Sequence, residues 1–134
     1  MIVVDANVLA GFLISSEHPP LERRVYARDP DWIAPLLIQS EFRNLLATSI
    51  RKRTIAVETA VLFMEEVEQL LEGNEFRVSS PFVLTLAARS GCTAYGCEYV
   101  ALAMDLGIPL VTRDREIIAA FPSVAVDPAA FLRG

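Results

Sequence analysis

Two aspartates follow apolar runs that are too short for helices. Asp5 comes directly after the β-branched run Ile2-Val3-Val4, and Asp114 follows the apolar residues 108–112. Such runs indicate strands. Because parallel strands end at the same edge of a sheet, we expect the two carboxylates to lie side by side. Each Asp is also a good N-cap for the helix predicted after it, and this alternative stays open.

A third acid, Glu41, lies in the apolar first half of a helix predicted over residues 36–53, which can lean over the same edge. Carboxylates this close raise one another's pKa unless a cation separates them. A magnesium ion favours carboxylate, water and phosphate oxygens, and it can activate a water that attacks phosphorus. No histidine nucleophile or base is required. The only histidine, His18, lies in a polar, proline-marked turn over residues 15–20, a poor setting for a general base.

The composition predicts one globular domain over residues 1–134, large enough to form a core without disulfides. A hydrophobic content of 53% favours a sheet covered on both faces, or a partner that covers part of the surface. No apolar run reaches the length of a membrane span, so we expect a cytoplasmic protein. Cys92 and Cys97 match neither a zinc site nor a disulfide framework and are interpreted as ordinary thiols.

The net charge of -5 argues against a protein that binds nucleic acid with its whole surface. Six acids and no base lie between residues 55 and 75, so the rest of the chain carries 12 bases against 11 acids. Eleven of the bases are arginine, which can bind a phosphate or a carboxylate with two N–H groups. The small clusters Arg23-Arg24 and Arg51-Lys52-Arg53 are more typical of solvated helix faces.

Strands and helices alternate along the chain. This predicts an α/β fold of three layers, in which a mostly parallel sheet of four to five short strands has helices on both faces. Thr54 is predicted to cap a helix over residues 55–72, with Val57 and Val61 in its buried stripe, and Ser80 to cap the next helix. Other elements are predicted at residues 6–14, 31–34, 76–78, 94–106 and 124–126.

Three stretches of sequence contain these acids, one after another along the chain. They are VVDANVLAGFL around Asp5, PLLIQSEFRNLLA around Glu41, and TAYGCEYVALAMDLGIPLVTRDREI, which includes Thr112 and Asp114. Together they resemble the PIN-domain ribonucleases, most closely the VapC-type toxins of toxin-antitoxin modules, over nearly the whole chain. The resemblance implies a PIN-like fold in which Asp5, Glu41 and Asp114 bind the metal, while Asn7 and Thr112 hold the carboxylates or water.

The same resemblance implies an activity and partners. Members of the family cleave RNA with Mg²⁺ or Mn²⁺, and a cognate antitoxin wraps the toxin and blocks its site. Many members are homodimers. We therefore expect an endoribonuclease that hydrolyses RNA phosphodiester bonds, an antitoxin partner and a homodimer.

One position departs from the family pattern. The family usually has Asp after the first Tyr of AYDAxYVALA, whereas this chain has Gly96. The nearest acid is Glu98, which lies about 200° away around a helix. Its position in the first turn and the freedom of Gly96 give Glu98 a route to the metal, so it is a further candidate ligand. The alternative is a catalytically weakened protein that binds RNA or a partner.

A different function class, the phosphotransfer folds, also places an Asp at the end of a strand. That class needs a second acid beside the first and usually an active-site lysine. This chain has Asp5-Ala6-Asn7 instead, and its only lysine is Lys52. The sequence therefore favours the nuclease over this class.

Overall fold

The computed structural model describes residues 1–14 and 20–134. Residues 15–19 of the predicted turn, His18 among them, lie outside the described residues. The described part contains five strands: β1 Ile2–Val4, β2 Trp32–Pro35, β3 Glu75–Phe76, β4 Leu110–Val111 and β5 Ala125–Val126. Its eight helices are α1 Ala6–Ile14, α2 Leu21–Arg28, α3 Leu37–Arg51, α4 Val57–Leu70, α5 Ser80–Ser90, α6 Ala94–Leu106, α7 Arg115–Ala120 and α8 Pro128–Arg133.

The strands form one sheet in the order β3-β2-β1-β4-β5, and every pairing is parallel. From β1 the chain moves outward through β2 to β3, then crosses back to β4 and β5 on the other side of β1. Because such crossovers are right-handed, α1 to α4 lie on one side of the sheet and α5 to α7 on the other. The chain changes direction between β1 and β4, where folds of this kind bind ligands. The predicted parallel sheet between helices is confirmed.

The core lies on both sides of the central strand. Successive side chains of a strand point to opposite faces, yet Ile2, Val3 and Val4 are all buried. The helix α6 packs against β1, β2 and β4 and contributes buried residues from Cys97 to Ala103. Much of the high apolar content is therefore used to cover a parallel sheet. No helix in the described ranges is both long and apolar enough to cross a membrane.

The ends of α1 and α6 lie where the sequence predicts them, but two predicted caps are wrong. The helix α4 begins after Ala56, and the Thr54 hydroxyl instead donates to the Ser49 carbonyl at 3.0 Å. Arg53 has a positive φ of 59°, so the chain reverses directly after α3 and Thr54 closes that turn. The helix α5 is capped by Ser79 rather than Ser80, because Ser79 Oγ accepts the Phe82 amide.

The buried stripe predicted for α4 is also partly wrong. Val57 and Val61 are 55% and 51% exposed, whereas Ala60 and Val67 are buried. The helix packs mainly against α3, so its buried face is narrower than its apolar pattern suggests.

Candidate active site

A cavity of about 400 Å³ opens beyond the carboxyl ends of β1 and β4, where the topology predicts a ligand site. Five of the predicted site residues line it: Asp5, Asn7, Glu41, Thr112 and Asp114. The remaining polar or aromatic lining comes from residues that the sequence did not single out, namely Ser40, Asn44, Thr93, Tyr95 and Tyr99.

Asp5 is the buried acid of the cavity, and both of its oxygens are hydrogen-bonded. Oδ1 accepts the Val8 amide at 3.0 Å, and Oδ2 accepts the Thr112 hydroxyl. Burial raises the pKa of Asp5 to about 6; these two hydrogen bonds oppose the rise, and the charges of Glu41 and Asp114 add to it. The ionised form is therefore poorly stabilised by the protein alone, which is the condition that a bound cation relieves.

Asp114 is exposed and is held by the first turn of α7. Its Oδ1 accepts the amides of Glu116 at 3.0 Å and Ile117 at 3.2 Å, and its own amide donates to Thr112 Oγ1 at 3.0 Å. Thr112 thus links the two aspartates, since it accepts from Asp114 and donates to Asp5. Both aspartates act as helix caps, as the alternative interpretation predicted, and both still line the cavity.

Glu41 is oriented by Tyr99, a buried residue of α6. The Tyr99 hydroxyl donates to Glu41 Oε1 at 2.6 Å. Burial raises the pKa of Tyr99 well above its usual value, and the hydrogen bond to Glu41 and the charges of Glu41, Asp5 and Glu98 act in the same direction. Tyr99 therefore stays protonated and remains a donor. Its signal in the sequence is a hydroxyl inside the apolar run YVALA, because a buried tyrosine needs a partner.

Gly96 lines the cavity, whereas Glu98 lines a neighbouring groove with Phe76 and Arg77. Positions 96 and 98 therefore face different sides of α6, as expected for two residues about 200° apart around a helix. Burial raises the pKa of Glu98, and the charge of Glu41 raises it further, so the carboxylates of Glu98 and Glu41 are close enough to interact. A Cβ on Gly96 would lie 2.8 Å from Ile117 Cδ1, which fills the space that a side chain there would enter.

Within residues 1–14 and 20–134, no three carboxylate, histidine or cysteine side chains lie close enough together to enclose a metal ion. The donor set around the cavity nevertheless consists of oxygens, as a hard cation requires. Magnesium commonly keeps several waters and binds one or two carboxylates together with phosphate oxygens of a substrate. The arrangement fits a cation shared with water and a phosphate ligand, and it does not form a complete protein cage.

Replacing Asp5 by Asn tests the burial of this carboxylate in metal-free protein. The folded-state pKa of about 6 lies above the reference value of 3.8, so the contribution of Asp5 to wild-type stability is greatest at low pH and falls between about pH 4 and about pH 6. The loss is at most about 3 kcal/mol. Asn does not titrate, so the free energy of unfolding of Asp5→Asn relative to wild type should rise through this range and then level off.

Urea denaturation of chelator-treated protein across this pH range measures the difference. Asp105→Asn, an exposed change on α6, is the matched control for the loss of one carboxylate. A difference between Asp5→Asn and wild type that is the same at about pH 4 and about pH 7.5 would contradict the raised pKa.

Comparisons with known proteins support the fold described above. No family model matches the chain. Ribonuclease VapC3 of Pyrobaculum aerophilum is 26% identical over 126 residues, which span 92% of this chain and 96% of that protein. The crystal structure of PAE2754 from Pyrobaculum aerophilum superposes with a TM-score of 0.76 at 23% identity, covering 98% of this chain and 93% of the other.

A toxin-antitoxin complex from Klebsiella pneumoniae contains a chain with a TM-score of 0.69 and 16% identity, covering 96% of this chain and 98% of that one. FitAcB from Neisseria gonorrhoeae gives a TM-score of 0.68 at 21% identity, with 96% and 99% covered. The chain therefore has the PIN-domain fold, and the resemblance to VapC-type proteins that its motifs predict is confirmed.

Proposed function

We propose that this chain is a metal-dependent endoribonuclease and the toxin of a toxin-antitoxin pair. The observation that carries the proposal is the cavity at the β1 and β4 ends, in which Thr112 links Asp5 to Asp114 and Tyr99 holds Glu41. The similarity to Ribonuclease VapC3 over 92% of the chain supports ribonuclease activity in particular.

Asp5, Glu41 and Asp114 are the candidate ligands for Mg²⁺ or Mn²⁺ in this cavity, where water and phosphate oxygens of the RNA would complete the coordination. When bound, such an ion polarises a phosphoryl oxygen and lowers the pKa of a water for attack on phosphorus. Thr112 and the Val8 amide keep both oxygens of Asp5 in a fixed orientation, and the caps on Asp114 do the same for its Oδ1. This preorganisation is what a phosphoryl-transfer site needs from its protein ligands.

The helix α3 provides polar and basic side chains that the RNA substrate could contact next to these acids. It places Ser40 and Asn44 in the cavity beside Glu41, with Arg43 exposed between them. The helix ends at the cluster Arg51-Lys52-Arg53, which is exposed throughout. Hydroxyl, amide and guanidinium groups of this kind bind phosphate and ribose oxygens, so α3 can contact the RNA backbone despite the net negative charge of the protein.

Calorimetric titration with Mg²⁺ and Mn²⁺, combined with cleavage of a total RNA pool, tests the nuclease proposal. Wild type should bind metal in the millimolar range or tighter and cleave RNA only when metal is present. Asp5→Asn should remove both properties, because it replaces the buried anionic oxygen by an amide. Glu98→Gln should weaken metal binding less, because Glu98 lines the neighbouring groove and not the cavity.

Asp105→Asn is again the control, since it removes an exposed carboxylate from the same helix as Glu98. A Glu98→Gln variant as inactive as Asp5→Asn would mean that Glu98 replaces the missing family Asp as a ligand. Wild-type protein that binds no metal and leaves RNA intact would overturn the nuclease proposal.

A second candidate function is a PIN-fold protein with weakened catalysis that binds RNA or a partner. Gly96 favours this second candidate, because the cavity-lining position that it occupies on α6 carries no carboxylate. Glu98 lines a different groove and does not place its carboxylate in the cavity. Gly96 lies in the first turn of α6, where its amide donates to the Thr93 hydroxyl at 3.1 Å. An Asp there would be favoured by the helix dipole.

Restoring this carboxylate separates the two candidates. The double variant Gly96→Asp/Ile117→Val adds the acid and removes the Cδ1 atom that a Cβ would meet at 2.8 Å. If wild type is weakened, Mn²⁺ should bind at least about tenfold more tightly to the variant, or ~1.4 kcal/mol. RNA cleavage should rise with it. The control is Gly96→Ala/Ile117→Val, which adds the Cβ without the charge and should leave metal affinity unchanged.

We also propose an antitoxin partner and a homodimer in the cytoplasm. The Klebsiella pneumoniae structure is described as a toxin-antitoxin complex, which supports the first. Exposed apolar side chains support a protein partner more generally: Leu36, Phe76 and Leu84 surround the groove that contains Arg77 and Glu98. Apolar groups rimmed by charge are typical of such contact surfaces.

Sedimentation velocity of the pure protein, alone and with the product of the adjacent gene, tests these partners. We expect a dimer that binds the second protein and loses RNA cleavage in the complex. Leu84→Ser should weaken one of the two associations, because this side chain is 63% exposed in the groove. A monomer that neither binds the second protein nor is inhibited by it would contradict the proposal.

A further inference from the structure

Glu22 is a buried carboxylate that the proposed chemistry does not use. It lies in the first turn of α2, is 1% exposed, and does not line the cavity. A buried charge of this kind needs a partner of opposite sign. Glu22 Oε1 accepts the Nε proton of Arg113, a residue whose side chain is 44% exposed. The ion pair therefore connects the interior beneath α2 with the loop between β4 and α7.

The glycine at position 11 makes room for this carboxylate. A Cβ on Gly11 would lie 2.4 Å from Glu22 Cδ, 2.6 Å from its Oε1 and 2.8 Å from its Cγ. Any other residue would displace the part of Glu22 that binds Arg113. The absence of a side chain in the middle of α1 thus has a steric reason, although it lowers the intrinsic stability of the helix.

The residue held by Glu22 lies between two members of the candidate site. Thr112, which precedes Arg113, donates to Asp5, and Asp114, which follows it, lines the cavity and caps α7. The Asp114 amide donates a hydrogen bond back to Thr112 Oγ1, so the three residues form a tight turn. The ion pair to Glu22 fixes the middle of that turn against α2, which limits the rotation of both flanking residues.

We propose that Glu22 is a positioning residue that acts through Arg113 to keep Thr112 and Asp114 in their orientation within the cavity. Glu22 itself touches no substrate. The part of this proposal that concerns catalysis depends on the proposed nuclease function, whereas the part that concerns the order of the loop does not. A purely structural ion pair would instead affect the stability of the whole domain and leave the loop no more mobile than the rest.

Glu22→Gln is the first test, because it keeps the shape and an acceptor oxygen while removing the charge. Gly11→Ala is an independent test, since its methyl group displaces Glu22 without changing either partner. Val67→Ala is the control; Val67 is buried in α4 and does not line the cavity. Arg113→Lys provides a further variant if Glu22→Gln does not fold, because the Arg113 side chain is partly exposed.

Amide hydrogen exchange in metal-free protein is the readout that does not depend on activity. The amides of Asp114, Glu116 and Ile117, which hold the turn and the cap, should exchange at least about tenfold faster in Glu22→Gln and Gly11→Ala, beyond any change in core amides. In Val67→Ala the loop amides should change only in proportion to the core.

Cleavage of an RNA fragment that wild type cuts is the second readout. In Glu22→Gln, kcat should fall about ten- to a hundredfold, as for other groups that orient a ligand-bearing residue, with KM nearly unchanged. Loop exchange and kcat that match those of Val67→Ala would overturn the proposal. If wild type cleaves no RNA, the nuclease function fails, and the hydrogen exchange alone decides whether Glu22 orders the loop.

Discussion

The buried carboxylate of Asp5 constrains the rest of the site. It lies where β1 ends, next to β4 and beneath α1, and burial keeps its pKa near 6. A carboxylate in this position is tolerated because two donors, the Val8 amide and the Thr112 hydroxyl, bind its oxygens. The start of α1 and the end of β4 must therefore keep their relative positions for the domain to be stable. The site and the core share these hydrogen bonds.

Capping does not prevent either aspartate from lining the cavity. A cap uses one carboxylate oxygen and fixes the side-chain torsions, as the two hydrogen bonds from backbone amides to Asp114 Oδ1 illustrate. The same bonds orient the group towards the cavity. The positive ends of α1 and α7 also lie near these acids, which reduces the repulsion between them. A helix start after a strand is thus a means of presenting an acid at a sheet edge.

The sequence predicts well what depends on local pattern. The parallel sheet, the bounds of α1 and α6, and the cavity position of Asp5, Glu41 and Asp114 follow from apolar runs, capping glycines and motif order. Prediction from the sequence fails where a neighbouring residue or helix determines the local structure. Thr54 closes a turn that begins at Arg53, and the exposure of Val57 depends on how α4 packs against α3. Likewise, Tyr99 and Glu22 reach partners that are 58 and 91 residues away, and no local pattern encodes such pairings.

In the proposed chemistry, the protein would supply only some of the ligands of the metal ion. Asp5 binds a proton with a pKa of about 6, so a proton and a cation would compete for its oxygens at mildly acidic pH. Within the described residues no three side chains enclose an ion, so phosphate oxygens would supply ligands that the protein lacks. Metal and RNA would then each increase the affinity for the other, because each provides charge that the other needs. Gly96 would strengthen this coupling under the proposed function, since its position supplies no carboxylate that could hold the metal without RNA.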